Sequence, residues 1–209
     1  MGTYQEYARV YDESGQLAFS LKMCRYLPTL LDRHPVPGRR MLDLACGTGT
    51  VAISFARDGW EMLGIDGSEA MLEQARAKAE DAGAYVVWSQ QDMRTFVVPA
   101  RVHLVTCLYD SMNYMLTSDD LAAVFRRVYA ALEPDGLFLF DMNTAYAFAV
   151  LWDDETHLTD DPHMTVIFRS RYDDRRQRVT VVATVFERQG ALYQKIQEEH
   201  TEQAYPPEQ

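Results

Sequence analysis

Apolar positions recur along the chain with two different periods, and the change from one to the other falls near residue 150. Before it, the short apolar runs Met41–Ala45, Glu61–Ile65, Tyr85–Ser89, Val102–Leu108 and Leu137–Asp141 alternate with longer amphipathic stretches. The runs have the length of buried strands, and the stretches between them repeat every three to four residues, as helices do. Behind Ser118, the residues Leu121, Val124, Phe125, Val128 and Leu132 form one helical stripe, stopped by Pro134-Asp135-Gly136. Met71, Leu72, Ala75 and Ala79 do the same behind Ser68. A further stripe, Leu17, Leu21, Cys24 and Leu31, ends near His34-Pro35-Val36-Pro37-Gly38. Strands alternating with helices predict an α/β domain over residues 1–150, with a mainly parallel sheet covered on both faces.

After Trp152 the period is two: Thr165–Tyr172, Val179–Glu187 and Leu192–His200 are separated by Asp173–Gln177 and Gln189-Gly190. An antiparallel β meander over residues 151–209, appended to the sheet domain, is expected. Its middle strand sets Val179, Val181, Ala183 and Val185 on one face and Thr180, Val182, Thr184 and Phe186 on the other. Neither face suits bulk solvent, so the meander must cover something.

Composition narrows the function classes. With 209 residues, 47% of them hydrophobic and 24% charged, the chain can bury a core without disulfide or metal staples. A net charge of −11 has the wrong sign for coating a phosphate backbone or an anionic membrane. Cys24, Cys46 and Cys107 are odd in number and lack the spacing of metal ligands, which fits a reducing cytoplasm and no metal site. The segment MGTYQEYARVYDESG has neither the basic nor the apolar part of a signal peptide, and the longest apolar runs are too short to span a bilayer. A cytoplasmic protein acting on a small molecule is expected.

The candidate chemistry begins at Met41-Leu42-Asp43-Leu44-Ala45-Cys46-Gly47-Thr48-Gly49-Thr50-Val51-Ala52, where a buried strand passes through a tight loop into a helix. Gly47 and Gly49 let backbone approach a ligand, and the helix N-terminus offers unpaired N–H groups. Alone, Gly47-x-Gly49-x-x-Ala52 also satisfies the dinucleotide fingerprint, with Asp66 as the ribose acid. Asp43, Asp66 and Asp92 then fall at or just past the ends of three successive strands, facing one crevice. That ring of carboxylates would repel a pyrophosphate and hold a cofactor carrying a sulfonium, an ammonium and an adenine amine.

These segments resemble the class I S-adenosylmethionine-dependent methyltransferases, of which Leu-Asp-Leu-Ala-Cys-Gly-Thr-Gly is a specific signature. Tyr7-x-x-x-Tyr11-Asp12 looks like the N-terminal segment that closes over the cofactor in small-molecule members. Asp92-Met93-Arg94 and Asp110-Ser111-x-Asn113-Tyr114 are similar to a bacterial subgroup of glycine and aminosugar N-methyltransferases. The resemblance implies a Rossmann-like, doubly wound fold, S-adenosyl-L-methionine as cofactor and a small-molecule acceptor, an amine above all. It places Tyr11 in the closing segment, and Asp43, Ala45, Gly47, Gly49 and Gly67 around the methionine part and ribose. Asp66 would hold the ribose hydroxyls, Asp92 would accept from the adenine amine, Met71 and Met93 would sandwich the ring, and Leu108 would lie beside the methionine tail. Ala45 stands where the commonest form of the loop has glycine.

In-line methyl transfer needs mainly alignment and exclusion of water, but an amine acceptor must be neutral when it attacks. Asp110, Tyr114, Tyr146 and His200 are the candidate groups for its proton. Alternation places Glu198, His200 and Glu202 on one face; two acids would raise the imidazole pKa unless burial opposes them, so His200 is read as orienting the acceptor. An S-adenosylmethionine-binding protein without turnover and an NAD-dependent oxidoreductase are the rival readings. The family's closing helix and two strands have no counterpart before Tyr205-Pro206-Pro207-Glu208-Gln209, which would leave Leu137–Asp141 as an open edge. The meander folding across, or a second copy of the chain in a homodimer, is expected to cover it.

Overall fold

The computed structural model describes residues 4–206. Met1–Thr3 of the N-terminal segment and Pro207–Gln209 of the C-terminal stretch lie outside the described residues. A five-stranded parallel sheet is built from β1 (Arg40–Leu44), β2 (Glu61–Asp66), β3 (Val86–Gln90), β4 (Val102–Cys107) and β5 (Leu132–Phe140), in the order β3-β2-β1-β4-β5. The central strands are continuous apolar runs because helices cover both faces: α1 (Leu17–Arg33), α2 (Thr50–Arg57), α3 (Glu69–Asp81) and α4 (Ser118–Ala131). Met41, Leu104, Val51 and Leu27 form one half of the core, and Leu42, Ile65, Val105 and Val124 the other.

Most differences from the sequence expectation are local. In α1 the buried stripe runs through Met23, Leu27, Leu30 and Leu31, and Leu21 is exposed. Ser68 caps α3 as expected, its Oγ accepting from Met71 N, whereas α4 is capped one residue early, by Thr117 accepting from Asp120 N. Pro134-Asp135-Gly136 does not separate helix from strand; it lies inside β5, where the pairing register shifts between Val102 and Leu104 and Asp135 takes φ 62°.

The expected meander forms an antiparallel sheet of its own. Past α5 (Ala145–Leu151) come β6 (Thr156–Asp160), β7 (Met164–Asp173), β8 (Arg178–Gln189) and β9 (Leu192–Gln203), antiparallel in sequence order. It does not pair with β5, which is the edge of the parallel sheet among the described residues; the expected cover by the meander is not observed. Its inner face instead covers the N-terminal segment, through Met164, Val166, Val185 and Ile196 against Tyr7 and Val10. No helix among the described residues is long and apolar enough to cross a membrane.

Buried Asn113 stitches the two sheets together. Its Nδ2 donates to the carbonyls of Asn143 (3.0 Å) and Gln203 (2.8 Å), and its Oδ1 accepts from Asn143 N (2.9 Å). Alanine would strand three half-buried backbone groups, so Asn113→Ala is expected to cost about 2–3 kcal/mol, a fall of roughly 4–12 °C in Tm. An unchanged Tm by calorimetry would show that the sheets are held elsewhere.

Candidate functional site

The loop after β1 takes three consecutive backbone excursions, at Ala45 (φ 56°), Gly47 (φ 53°) and Gly49 (φ 75°). Asp66, at the end of β2, organises it by accepting from Gly47 N and Ser68 N, each at 2.8 Å. The two glycines serve different ends. A Cβ on Gly47 would meet nothing within 4 Å, and this residue opens onto a cavity of about 300 Å3. A Cβ on Gly49 would stand 2.4 Å from the Trp88 ring, and one on Gly64 would do the same, so Gly49 makes room for the indole rather than for a ligand.

Of the cofactor residues expected from the sequence, Tyr11, Asp43, Ala45, Gly47, Asp66, Gly67, Met71, Met93 and Leu108 line this cavity, and Gly49 and Asp92 do not. Asp92 belongs to the adjoining cleft, reached past Ala45, Asp66, Gly67 and Met93. There Arg94 clamps it, Nε reaching Oδ1 at 2.9 Å and Oδ2 at 3.1 Å, and holds its carboxyl below the usual range. Burial pushes Asp43 up to about 7 while Thr106 Oγ1 donates to it at 2.7 Å, and burial likewise raises Asp66. Cys46 lines the cavity too, but burial raises its thiol well above the ordinary value, which does not suit a nucleophile. No Lys or Arg lines the cavity among the described residues. A pyrophosphate would meet carboxylates and no cation there, whereas the donor set and the open cradle at Gly47 fit S-adenosylmethionine.

The N-terminal segment closes this cavity through contacts that local sequence does not announce. Glu198 on β9 accepts four successive backbone N–H groups, from Tyr4 (2.7 Å), Gln5 (2.9 Å), Glu6 (3.0 Å) and Tyr7 (3.1 Å). Asp12 accepts from Thr48 Oγ1 at 2.7 Å, and Lys78 Nζ bonds Asp12, Thr48 and Thr50 together. Tyr7 is a packing residue, buried with its hydroxyl on Ser14, while Tyr4 and Tyr11 reach the cavity wall. Glu198→Ala is expected to speed amide exchange at residues 4–7 and to weaken cofactor binding by about tenfold, the equivalent of one charge-assisted hydrogen bond. Exchange and affinity both like wild type would dismiss the latch.

A second cavity, of about 290 Å3, shares Tyr4, Tyr11, Tyr109 and Tyr114 with the first. The candidates Asp110, Tyr114 and His200 meet on its wall, together with Glu202. Tyr146 does not join them: it is 73% exposed and touches neither cavity. Tyr109 and Asp110 both hold positive φ, 61° and 51°, a strained pair fixed by Asp141, whose carboxylate accepts both of their N–H groups at 2.7 and 2.8 Å. Asn143 Nδ2 donates to Asp110 Oδ2 at 2.7 Å. Tyr114 links Tyr4 (2.8 Å between hydroxyls) to His200 Nδ1 (3.1 Å).

β9 persists to Gln203 and turns Glu198, His200 and Glu202 inward, as alternation predicts. Burial then decides the ionisation. It lowers the His200 pKa despite Glu198 nearby, so the imidazole is neutral at pH 7. It pushes Asp110 up to about 7 and, with the charge of Asp110 adding to the effect, Glu202 up to about 9.

A family model described as a methyltransferase domain matches residues 41–136. The putative methyltransferase YqeM of Bacillus subtilis (strain 168) is 32% identical over 207 residues, covering 99% of this chain and 82% of the relative. The dTDP-3-amino-3,4,6-trideoxy-alpha-D-glucopyranose N,N-dimethyltransferase of Streptomyces venezuelae is 33% identical over 101 residues, 48% of this chain and 41% of that protein. The crystal structure of an S-adenosylmethionine-dependent methyltransferase from Clostridium acetobutylicum ATCC 824 superposes with a TM-score of 0.86 at 27% identity, over 99% of this chain and 84% of that one. Glycine loop, sheet order and relatives agree, and the chain belongs to the class I S-adenosylmethionine-dependent methyltransferases.

Proposed function

We propose that the acceptor is an amine, methylated on nitrogen where the two cavities meet. The observation that carries this reading is the junction itself: Tyr4, Tyr11, Tyr109 and Tyr114 belong to both cavities, and the acceptor side adds Asp110 and a neutral His200, with no Lys or Arg among the described residues. S-adenosylmethionine supplies a methyl carbon already activated by its sulfonium. In this reading Asp43, Ala45, Gly47, Asp66, Gly67, Met71, Met93 and Leu108 hold the cofactor. Tyr4 and Tyr11 close over it and keep water out, which favours in-line attack. Asp110, rigidly set by Asp141, is the proton acceptor for the incoming amine, with Tyr114 and His200 orienting it. An aminosugar dimethyltransferase among the relatives supports nitrogen as the methylated atom.

Mass spectrometry of a cell extract incubated with the protein and methyl-labelled cofactor tests the reading. The label is expected on the nitrogen of a small molecule; label on oxygen or carbon, or none, would overturn it. Binding without turnover predicts no label at all. A nicotinamide-dependent oxidoreductase predicts a rise in Tm with NADH, whereas the rise is expected with S-adenosylmethionine alone.

A further inference from the structure

Glu202 is 4% exposed, on the inner face of β9 opposite Val179. Across the sheet it faces apolar Val179, and Val181 lines the same wall, while Asp110 and Asn143 are its polar neighbours. Its Oε2 is buried without a hydrogen-bond partner, and His200 Nε2 is buried without one on the same wall. Buried polar atoms left unpartnered are costly, and a binding wall is where such a cost is offset by a ligand.

The rest of the wall defines what that ligand is. Asp110 adds a second acid, and Tyr4, Tyr11, Tyr109, Tyr114 and Trp152 supply aromatic surface. No Lys or Arg lines the cavity among the described residues; His157 and His200 share the wall with the two acids, a charge balance that disfavours a phosphate or a carboxylate. Aromatic faces and carboxylates share a preference for cations. The volume, about 290 Å3, suits a small organic ligand. From this we propose that Glu202, together with Asp110, is the site that binds the amino group of the acceptor, Glu202 releasing its proton to solvent as the ammonium enters, and that the acceptor is a free amine rather than a phosphorylated or nucleotide-linked one. The assignment deepens the amine reading above and rests on it. It also sets this chain apart from the Streptomyces relative, whose name specifies a dTDP-linked sugar.

Calorimetry on the protein saturated with S-adenosylhomocysteine tests the assignment with matched probes at pH 7.5: benzylamine, cyclohexylamine and piperidine against benzyl alcohol and cyclohexanol, with thymidine diphosphate as the nucleotide. An amine is expected to bind at least about tenfold more tightly than its matched alcohol, and thymidine diphosphate to give no heat. Glu202→Gln is expected to remove that preference while leaving S-adenosylhomocysteine affinity within about twofold, which also reports that the variant is folded. Equal binding of amine and alcohol, no binding by any amine, displacement of an amine by thymidine diphosphate, or an unchanged preference in Glu202→Gln would each overturn the proposal. The two readings fail separately. Label on oxygen or carbon in the extract experiment defeats nitrogen as the methylated atom, whereas loss of the amine preference defeats the ammonium site even if the labelled product is an amine.

Discussion

Asp66→Ala is expected to weaken S-adenosylmethionine binding by about a hundredfold or more, because one carboxylate has two tasks. It holds Gly47 N and Ser68 N in the positions that shape the cradle, and it lines the cavity where the proposed function puts the ribose hydroxyls. Two charge-assisted hydrogen bonds of ~1.5–3 kcal/mol each already amount to a hundredfold. The loop adds to this: without the acid, the backbone at Ala45 and Gly47, both at positive φ, loses the contact that fixes it. Asp66→Asn is not a gentle control, since its amide would set a donor against one of two N–H donors. Titration calorimetry reads the affinity, and an unchanged Tm with retained binding of the amine probes shows that the defect is local. Wild-type affinity in Asp66→Ala would remove this residue from the cofactor site.

The second large effect is one of stability, with a sign opposite to that expected for losing a buried polar group. Glu202 keeps its proton in the folded chain up to about pH 9, whereas the unfolded chain releases it near 4.5. The folded state therefore binds more protons between those values, and the contribution present below pH 4.5 is lost as pH rises toward 9. Asp110 and Asp43, both raised to about 7 from 3.8, add losses of the same sign at lower pH. Glu202→Gln removes the largest of these. Its Tm is expected to match wild type near pH 5 and to exceed it by about 5 °C or more at pH 8, a difference of a few kcal/mol in a chain of this size. Asp110, Asn143, Tyr4 and Tyr114 face this carboxyl, His157 and His200 lie on the same cavity wall, and no Lys or Arg among the described residues lines it. A variant no more stable than wild type at pH 8 would mean that Glu202 is ionised and compensated, contrary to its burial. Gained stability with lost amine preference is the combination expected when a residue is kept for function.

The parallel sheet and its ligand-facing ends were legible because each relied on local chemistry: continuous apolar runs, a glycine loop, a capping serine at 68, an acid at a strand end. The second sheet was legible where one face is buried, as in β8. It was not legible at β6, whose five residues are all exposed and so carry no alternation. Gly49 was legible as a glycine but not in its purpose, because Trp88 comes from a strand nearly forty residues away. Glu198 was placed on the correct face of β9, yet its partners are the N–H groups of residues 4–7, which no spacing rule connects to it. The same holds for Glu202: alternation set it beside His200, and only the packing of β9 against the 3-10 turn at Ser111–Tyr114 shows that this face is the wall of a cavity. Tyr146 was misplaced for the converse reason. It follows β5 as Asp110 follows β4, but α5 turns it outward.

The indole that forces glycine at positions 49 and 64 also gives the protein a built-in optical reporter. Of its three tryptophans, Trp88 lies against the glycine loop, Trp152 lines the second cavity, proposed for the acceptor, and Trp60 stacks edge-on to Phe55, away from both. Intrinsic fluorescence can thus be divided between the two ends of the reaction by single Trp→Phe changes. With Trp152 replaced, quenching follows the loop under Trp88; with Trp88 replaced, it follows the acceptor. The order in which the two ligands arrive then becomes readable in a stopped-flow trace without any label.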